Sequence, residues 1–161
     1  MQLITLEKNQ IEALSNFAKE VFIDYYQDLI GLDQSLYMTE KFLSEKAIID
    51  LLNENAIFKM IKNQDEILAF IEYLKQDNRI FLSKLYVHKD YRHQGLGKIL
   101  LDDCIEYGKN NNCNSIYLTV NKYNTNSINI YKHLGFKIID AVVNDIGNNY
   151  VMDDYIMELT I

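Results

Sequence analysis

The sequence predicts an α/β fold in which one domain, covering residues 1–161, packs helices against a single mixed sheet. Three observations lead to this prediction. Some segments have short or alternating apolar runs, as strands do, and others have an apolar residue every three to four positions, as helices do. The two kinds of segment occur in turn along the chain. The 161 residues are 48% hydrophobic, which suits one core better than several. The chain has no proline and shows no repeat, linker or low-complexity stretch.

The N-terminal third is predicted to be mainly helical. Gln2–Thr5 alternates as a first strand, and a helix with an apolar stripe follows from Asn9 to about Tyr26. The segment from Asp28 to Leu36, which contains turn-forming residues, is predicted as a connection. Thr39 is predicted to cap the next helix, and a further helix would bury one apolar face, made of Ala47, Ile48, Leu51 and Leu52.

The remaining two thirds alternate strands with two helices. Glycines are predicted to bound both helices, with Gly108 ending the first and Gly135 following the second. In chain order the predicted elements are strands Ala56–Ile61, Ile67–Lys75 and Arg79–His88, a helix from Gly97 to about Tyr107, strand Ser115–Val120, helix Asn124–Leu134, and strands Phe136–Val143 and Tyr150–Ile161.

One glycine-bearing turn has the composition of a phosphate site. The strand Leu82–Val87 leads into Arg92-His93-Gln94-Gly95-Leu96-Gly97-Lys98 and then into an apolar helical stretch. Because glycine lacks a Cβ, an anion can approach the backbone N–H groups of Gln94–Lys98 closely. The helix N-terminus adds a field equivalent to roughly half a positive charge. Arg92 and Lys98 add cationic side chains.

Two familiar phosphate loops do not match this turn. A dinucleotide fingerprint needs a third glycine where Leu100 stands, and a Walker loop needs Ser or Thr where Ile99 stands. The remaining interpretations are a pyrophosphate held by one short turn, or an ordinary strand–turn–helix with a glycine-assisted entry. The cationic side chains favour the first.

A second set of residues follows the strand that ends at Val120. Asn124 can cap a short helix, and Gly135 follows its last turn. The ordered pair of motifs, Arg92-x-x-Gly95-x-Gly97 and then Asn124-x-x-Ser127 with Tyr131-x-x-x-Gly135-Phe136, resembles the GCN5-related N-acetyltransferase superfamily over most of the chain. The N-terminal third, with Phe22–Tyr26 and a helix from Tyr37 to Leu43, is more narrowly similar to bacterial spermidine/spermine acetyltransferases.

The resemblance implies a mostly antiparallel sheet of six to seven strands. Its two central parallel strands, here Leu82–Val87 and Ser115–Val120, would splay apart around the pantetheine arm of acetyl-CoA. The family often has proline shortly after the first of these strands, and here His88-Lys89-Asp90 occupies that stretch; Ser127 stands where alanine is usual. The implied acetyl-CoA-binding residues are Leu85, Tyr86, Val87, Arg92, His93, Gln94, Gly95, Leu96, Gly97, Lys98, Asn124 and Tyr131.

The resemblance also assigns chemistry: an amine attacks the thioester directly in a ternary complex. Tyr131 would be the general acid, because a phenol with a pKa of about 10 can protonate a departing thiolate. The alternative is that Tyr131 only packs on its helix. The backbone N–H of Val87 would stabilise the oxyanion.

Glu72 is our candidate general base, alone or through water, since Thr119 falls where some relatives carry a glutamate. The alternative for Glu72 is a solvent-facing strand residue. His88 and His93 are expected to bind an anion or cap a helix, and His133 to be exposed. No metal site is predicted.

Composition narrows the partners and the location. A formal net charge of −7 argues against nucleic acid, and no apolar run is long enough to span a membrane. The two cysteines, Cys104 and Cys113, lack metal or redox spacing and are expected to be packing residues in a reduced, cytoplasmic protein. Five basic residues nevertheless gather around the glycine turn, as an anion site requires: Lys84, Lys89, Arg92, His93 and Lys98.

The leading hypothesis is therefore acetyl transfer from acetyl-CoA to a primary amine, with a polyamine or another small amine as acceptor. Acetylation of a protein N-terminus or lysine is the alternative within the same class. A regulatory module that binds CoA without turnover is the alternative outside it. The long apolar strand Tyr150–Ile161 could pair across a homodimer or lie in the core.

Overall fold

A computed structural model describes residues 1–161 and has seven strands and five helices. Short 3-10 turns at Lys8–Gln10 and Lys89–Tyr91 precede two of the helices. In chain order the elements are β1 (Gln2–Thr5), α1 (Ile11–Ile30), α2 (Leu32–Leu43), α3 (Glu45–Asn53), β2 (Ile57–Asn63), β3 (Glu66–Gln76), β4 (Arg79–Val87), α4 (Leu96–Asn110), β5 (Ser115–Asn121), α5 (Thr125–His133), β6 (Lys137–Gly147) and β7 (Tyr150–Thr160).

The strands form one sheet in the order β1-β2-β3-β4-β5-β7-β6. Strands β1 and β2, β2 and β3, β5 and β7, and β6 and β7 pair antiparallel. The parallel pair is β4 with β5, and its register covers only Arg79–Phe81 against Ser115–Tyr117. Both strands continue beyond that register, β4 to Val87 and β5 to Asn121. The predicted mixed, mostly antiparallel α/β sheet is confirmed.

The chain groups into two compact units, the first being Met1–Leu74 with Lys84–Cys104 and the second Lys75–Ser83 with Ile105–Ile161. The first unit holds β1, β2, most of β3, α1 to α3 and the glycine turn. The second holds β5 to β7 and α5. That residues 1–161 act as one acetyltransferase domain stays a prediction.

The first unit is built around the apolar faces of α1, β2 and β3. Leu14, Phe58, Met60 and Phe70 are fully or almost fully buried there. A polar contact also ties α4 to the sheet, because Asp103 accepts hydrogen bonds from Lys59 and from the buried hydroxyl of Tyr73. The side chains of β3 from Leu68 to Tyr73 are all buried, so both faces of this strand are covered.

The second unit packs α5 and the end of α4 on its strands. Ile80, Ile116, Leu118 and Met157 form its apolar interior. Strand β7 lies between β5 and β6, so both of its edges are hydrogen-bonded and it is a core strand. Pairing of β7 across a homodimer, one of the two interpretations of its sequence, is therefore not available in this fold.

Both cysteines are buried free thiols, as the sequence indicates. Gly108 does not end its helix, contrary to prediction: α4 continues to Asn110. A Cβ at Gly108 would lie 2.7 Å from the Cδ1 atom of Ile161, so the glycine leaves room for the C-terminal residue.

The predicted connection from Asp28 to Leu36 is wrong. Helix α1 extends to Ile30 and α2 begins at Leu32, so Gly31 alone joins them. Its φ of 87° lies in a region that glycine enters without steric cost, and this lets a single residue redirect the chain.

The predicted cap at Thr39 is also wrong. Thr39 lies inside α2, and its hydroxyl donates to the carbonyl of Leu36 at 2.8 Å. The capping residue is Ser44, whose side chain accepts a hydrogen bond from the Ala47 N–H at 3.1 Å at the start of α3. No helix of this chain is both long enough and apolar enough to cross a bilayer.

Candidate functional site

The glycine turn of the first unit has the geometry of an anion cradle. His93 and Gly95 have φ values of 63° and 82°, which turn the backbone sharply before α4 begins at Leu96. The Ile99 N–H donates to the Gly95 carbonyl at 3.1 Å. The N–H groups of Leu96, Gly97 and Lys98 precede this first helical bond and form the N-terminal end of α4. Such N–H groups are the ones that bind phosphate at helix starts.

The two glycines of the turn have different roles. At Gly95 a Cβ would meet nothing within 4 Å, so its positive φ is what favours glycine. Gly97 has no positive φ, and the nearest atom to a Cβ there would be Cγ2 of Val87 at 3.9 Å. The protein itself therefore does not require glycine at position 97, and the open space beside its backbone fits an incoming anion.

The cations of the turn are held in place unequally. Arg92 Nε donates to the Val87 carbonyl at 3.1 Å, and its guanidinium lies 5.3 Å from the ring centroid of Tyr25. This contact fixes Arg92 to the end of β4. Lys98 forms an exposed ion pair of 2.7 Å with Asp102, a contact that water and salt weaken.

His88 serves as a cap in this region. Its Nδ1 accepts a hydrogen bond from the Asp90 N–H at 3.2 Å, at the start of the short turn Lys89–Tyr91. The backbone N–H of His88 donates to the carbonyl of Leu68 at 2.9 Å. Of the two roles expected for this histidine, capping is the one that the structure shows.

Aromatic rings line one region of the first unit. Phe22 stacks on Tyr26 with centroids 4.5 Å apart, and Tyr25 contacts the edge of Tyr26 at 4.9 Å. Phe70 and Tyr86 meet edge to face at 5.2 Å. We call Phe22, Tyr25, Tyr26, Phe70 and Tyr86 the aromatic wall.

Glu72 is buried, so its interpretation as a solvent-facing strand residue is wrong. It is 1% exposed, and its Oε2 lies 3.7 Å from Nζ of Lys84, which is 8% exposed. Oε2 has no hydrogen-bond partner. Burial lowers the pKa of Lys84 below its ordinary value, while the charge and hydrogen-bonding capacity of Glu72 act in the opposite direction. The two buried charges compensate one another.

Asn124 and Tyr131 lie in the second unit, on the segment that follows β5. Asn124 is buried and accepts a hydrogen bond from the Ser127 N–H at 3.2 Å, so it caps α5. Tyr131 is half-buried on α5 and contacts the ring of Phe136 at 5.4 Å. Because the Phe136 N–H donates to the Tyr131 carbonyl at 2.9 Å, the end of this helix is fixed beside the next strand.

Asp154 on β7 is a buried acidic residue that was not predicted from the sequence. It is 2% exposed, and burial together with the neighbouring Asp153 raises its pKa from 3.8 to about 6, against a smaller opposing effect of Lys122. Lys122 Nζ lies 2.8 Å from Asp153 instead. The sequence could have indicated this, because adjacent residues of a strand point to opposite faces. One residue of an Asp-Asp pair in a strand therefore faces the interior as soon as one face of the sheet is covered.

The Acetyltransferase (GNAT) family model matches residues 17–136, three quarters of the chain, and the chain belongs to this family. It is therefore an N-acetyltransferase, an enzyme whose co-substrate is acetyl-CoA. The family assignment made from the motifs is confirmed.

Curated relatives act on different acceptors. The chain is 28% identical over 125 residues to the peptidyl-lysine N-acetyltransferase YjaB of Salmonella typhimurium, covering 73% of this chain and 80% of the relative. It is 23% identical over 158 residues to the spermidine N(1)-acetyltransferase of Thermoplasma acidophilum, covering 95% and 96%. Among solved structures, the PaiA N-acetyltransferase of Thermoplasma acidophilum in complex with coenzyme A superposes on this chain with a TM-score of 0.84 at 22% identity. The superposition covers 100% of each of the two chains. This last likeness concerns the fold.

Proposed function

We propose that the protein transfers the acetyl group of acetyl-CoA to a primary amine of a small molecule, such as a polyamine. The observation that carries this proposal is the glycine turn, with its N–H groups at the start of α4 and open space beside Gly97. The spermidine acetyltransferase with which the chain aligns over 95% of its length supports a small amine as the acceptor.

The residues of the turn would hold the diphosphate of coenzyme A. The N–H groups of Gln94–Lys98 would donate to its oxygens, while Arg92, fixed by the Val87 carbonyl, would supply charge without losing further side-chain freedom. His93, with its positive φ, shapes the turn. Backbone groups of Leu85, Tyr86 and Val87 would bind the amides of the pantetheine arm.

Tyr131 is the proposed general acid, since its neutral phenol can give a proton to the thiolate as the thioester breaks. Asn124 supports this role, because it caps the helix that carries Tyr131. The N–H of Val87 is the proposed oxyanion donor, and such a donor is typically worth about 3 kcal/mol.

Glu72 is the proton acceptor proposed from the sequence. Its burial and its oxygen without a hydrogen bond support a special role, because a polar group left in this state is costly. Its ion pair with Lys84 is the observation against direct proton uptake, since this carboxylate already has a counter-charge 3.7 Å away.

Acetylation of a lysine in a protein is the second candidate. The relationship with YjaB supports it at 28% identity. The aromatic wall favours the small amine, because close-packed rings beside the glycine turn suit a compact acceptor better than an extended peptide.

The experiment measures thiol release from acetyl-CoA with a panel of amines and lysine peptides, and coenzyme A affinity by calorimetry. A small amine is expected to be the best acceptor. Tyr131→Phe should lose at least tenfold in kcat with coenzyme A affinity unchanged, while Tyr123→Phe, at an exposed position, should match the wild type. Binding of coenzyme A without transfer to any acceptor would instead favour a regulatory module. No binding of coenzyme A would refute the proposal.

A further inference from the structure

Three charged side chains are buried in this protein, and one of them has no counter-charge of its own. Glu72 and Lys84 form a pair, whereas Asp154 has neither an ion pair nor a hydrogen bond. The nearby cation, Lys122, is engaged by Asp153 at 2.8 Å. An unpaired carboxylate in such a position lowers stability, and groups of this kind concentrate at functional sites.

Asp154 lies in the second unit, beside the last residue of β5. Its register partner on β5 is Asn121, the last residue of that strand, and its partner on β6 is Val142. Both partners are uncharged, so the charged neighbours of Asp154 are Asp153 beside it on β7 and Lys122 after β5. Asp154 therefore lies at the end of β5 from which the chain continues to Asn124 and to α5 with Tyr131.

Asp154 and α5 lie on opposite faces of β7. A Cβ at Gly135, just after α5, would lie 3.1 Å from Cδ1 of Leu159, so Leu159 faces the helix. The register of β7 with β5 is regular from Asp154 to Thr160, and side chains alternate along it. Asp154, five residues before Leu159, thus faces the other side. A substrate reacting at the end of β5 could therefore receive a proton from Tyr131 on one face of the sheet and give a proton to Asp154 on the other.

We infer that Asp154 is the proton acceptor for the acceptor amine. This inference rests on the proposed function and deepens it by assigning the base. Asp154 fits the step better than Glu72 does, because no lysine forms an ion pair with it and an arriving ammonium would be its first direct partner. The raised pKa of Asp154, about 6, also makes it a stronger proton acceptor than an ordinary aspartate.

The proton balance of the reaction is complete with these residues. The acceptor arrives as R–NH₃⁺ and gives one proton to Asp154, which frees the nitrogen lone pair to form the C–N bond. As the C–S bond breaks, the sulfur takes the Tyr131 proton, and the second proton lost by the nitrogen restores Tyr131. Asp154 then returns its proton to solvent, so one turnover releases one proton.

The test compares kcat across pH for the wild type, Asp154→Asn and Glu72→Gln, at saturating acetyl-CoA with the best amine of the panel. The wild-type kcat should fall below about pH 6, where Asp154 becomes protonated. Asp154→Asn should lose at least tenfold in kcat and lose this inflection, while binding coenzyme A normally. Glu72→Gln should retain the inflection. Asp140→Asn, which removes the same charge from an exposed position on β6, is the matched control.

Asp154→Asn keeps the shape of the side chain and removes a buried charge, so the variant should fold. If it keeps kcat within twofold of the wild type, or keeps the inflection, the inference is overturned while the proposed function stands. Loss of the inflection in Glu72→Gln instead would assign the base to Glu72 and also overturn the inference. A wild type that acetylates no amine in the panel refutes the proposed function, and the inference with it.

Discussion

The hydroxyl of Tyr73 donates a hydrogen bond of 2.9 Å to Oδ2 of Asp103, whose Oδ1 lies 2.9 Å from Nζ of Lys59. One carboxylate of α4 thus binds two neighbouring strands, β2 and β3, through both of its oxygens. Tyr73 is fully buried, so the contact at Oδ2 is shielded from water. The glycine turn begins the same helix, and its position depends on how firmly α4 is attached to the sheet.

Replacement of Asp103 by Ala should therefore lower the free energy of unfolding by about 2 to 3 kcal/mol, because a buried hydrogen bond to a charged group is lost together with an ion pair. Urea denaturation measures this. Asp102→Ala, one residue earlier on the same helix, removes only the exposed pair with Lys98 and should cost about 0.5 kcal/mol or less. Equal losses in the two variants would contradict this role of Asp103.

Gly97→Ala should separate binding from stability. The added methyl group finds Val87 Cγ2 at 3.9 Å, an ordinary contact, and alanine favours a helix over glycine by about 1 kcal/mol. The variant should be at least as stable as the wild type by thermal unfolding. Its affinity for coenzyme A should fall at least tenfold in calorimetry, because the methyl group occupies the approach to the N–H groups. Unchanged affinity would place the diphosphate elsewhere.

Ser44→Ala should destabilise the protein by about 1 kcal/mol, the usual cost of losing an N-cap side chain. Thr39→Val is the comparison, because the Thr39 hydroxyl bonds a carbonyl that the helix itself can satisfy. Chemical denaturation of both variants should show a clear loss for Ser44→Ala and a smaller one for Thr39→Val. The reverse order would restore Thr39 as a capping residue.

Asp154→Asn should change how stability depends on pH. The folded-state pKa of about 6 lies above the ordinary 3.8, so the folded protein binds the proton more tightly than the unfolded chain does. The wild type consequently loses stability as pH rises from about 4 to 6, by up to about 3 kcal/mol. The variant lacks this loss, so it should be the more stable of the two at about pH 8 and similar to the wild type at about pH 4. Parallel stability curves would show that the Asp154 pKa is ordinary.

Local patterns predicted most of the fold. The order and type of the strands and of most helices follow from apolar periodicity. The glycine turn and the Asn124 cap follow from short motifs whose residues favour a particular backbone conformation or hydrogen bond. The one-residue link at Gly31 could not be recognised, because the segment around it contains several turn-forming residues and so has the composition of a longer loop. Whether one glycine is enough depends on how α1 and α2 pack.

The surroundings of the candidate site were harder to predict. Glu72 interrupts an apolar strand, and alternation alone placed it toward solvent; β3 is covered on both faces, and its ion-pair partner Lys84 is on another strand. Asp154 went unnoticed because an Asp-Asp pair is usually exposed. In both cases the deciding information is the covering of a strand by residues distant in sequence. The roles of the site residues stay predictions.

Strand β6, one of the two edge strands of the sheet, is long and largely exposed, yet two of its backbone N–H groups are already hydrogen-bonded to side chains. The Asp140 carboxylate accepts a hydrogen bond from the backbone N–H of Ala141, and the Asp145 carboxylate accepts one from the backbone N–H of Gly147, each at 2.8 Å. A foreign strand docking there would have to displace these bonds and approach two carboxylates without a compensating charge. This edge of the sheet is therefore protected against pairing with a foreign strand, and concentrated preparations should show no fibril growth through β6 until the acidic side chains are neutralised.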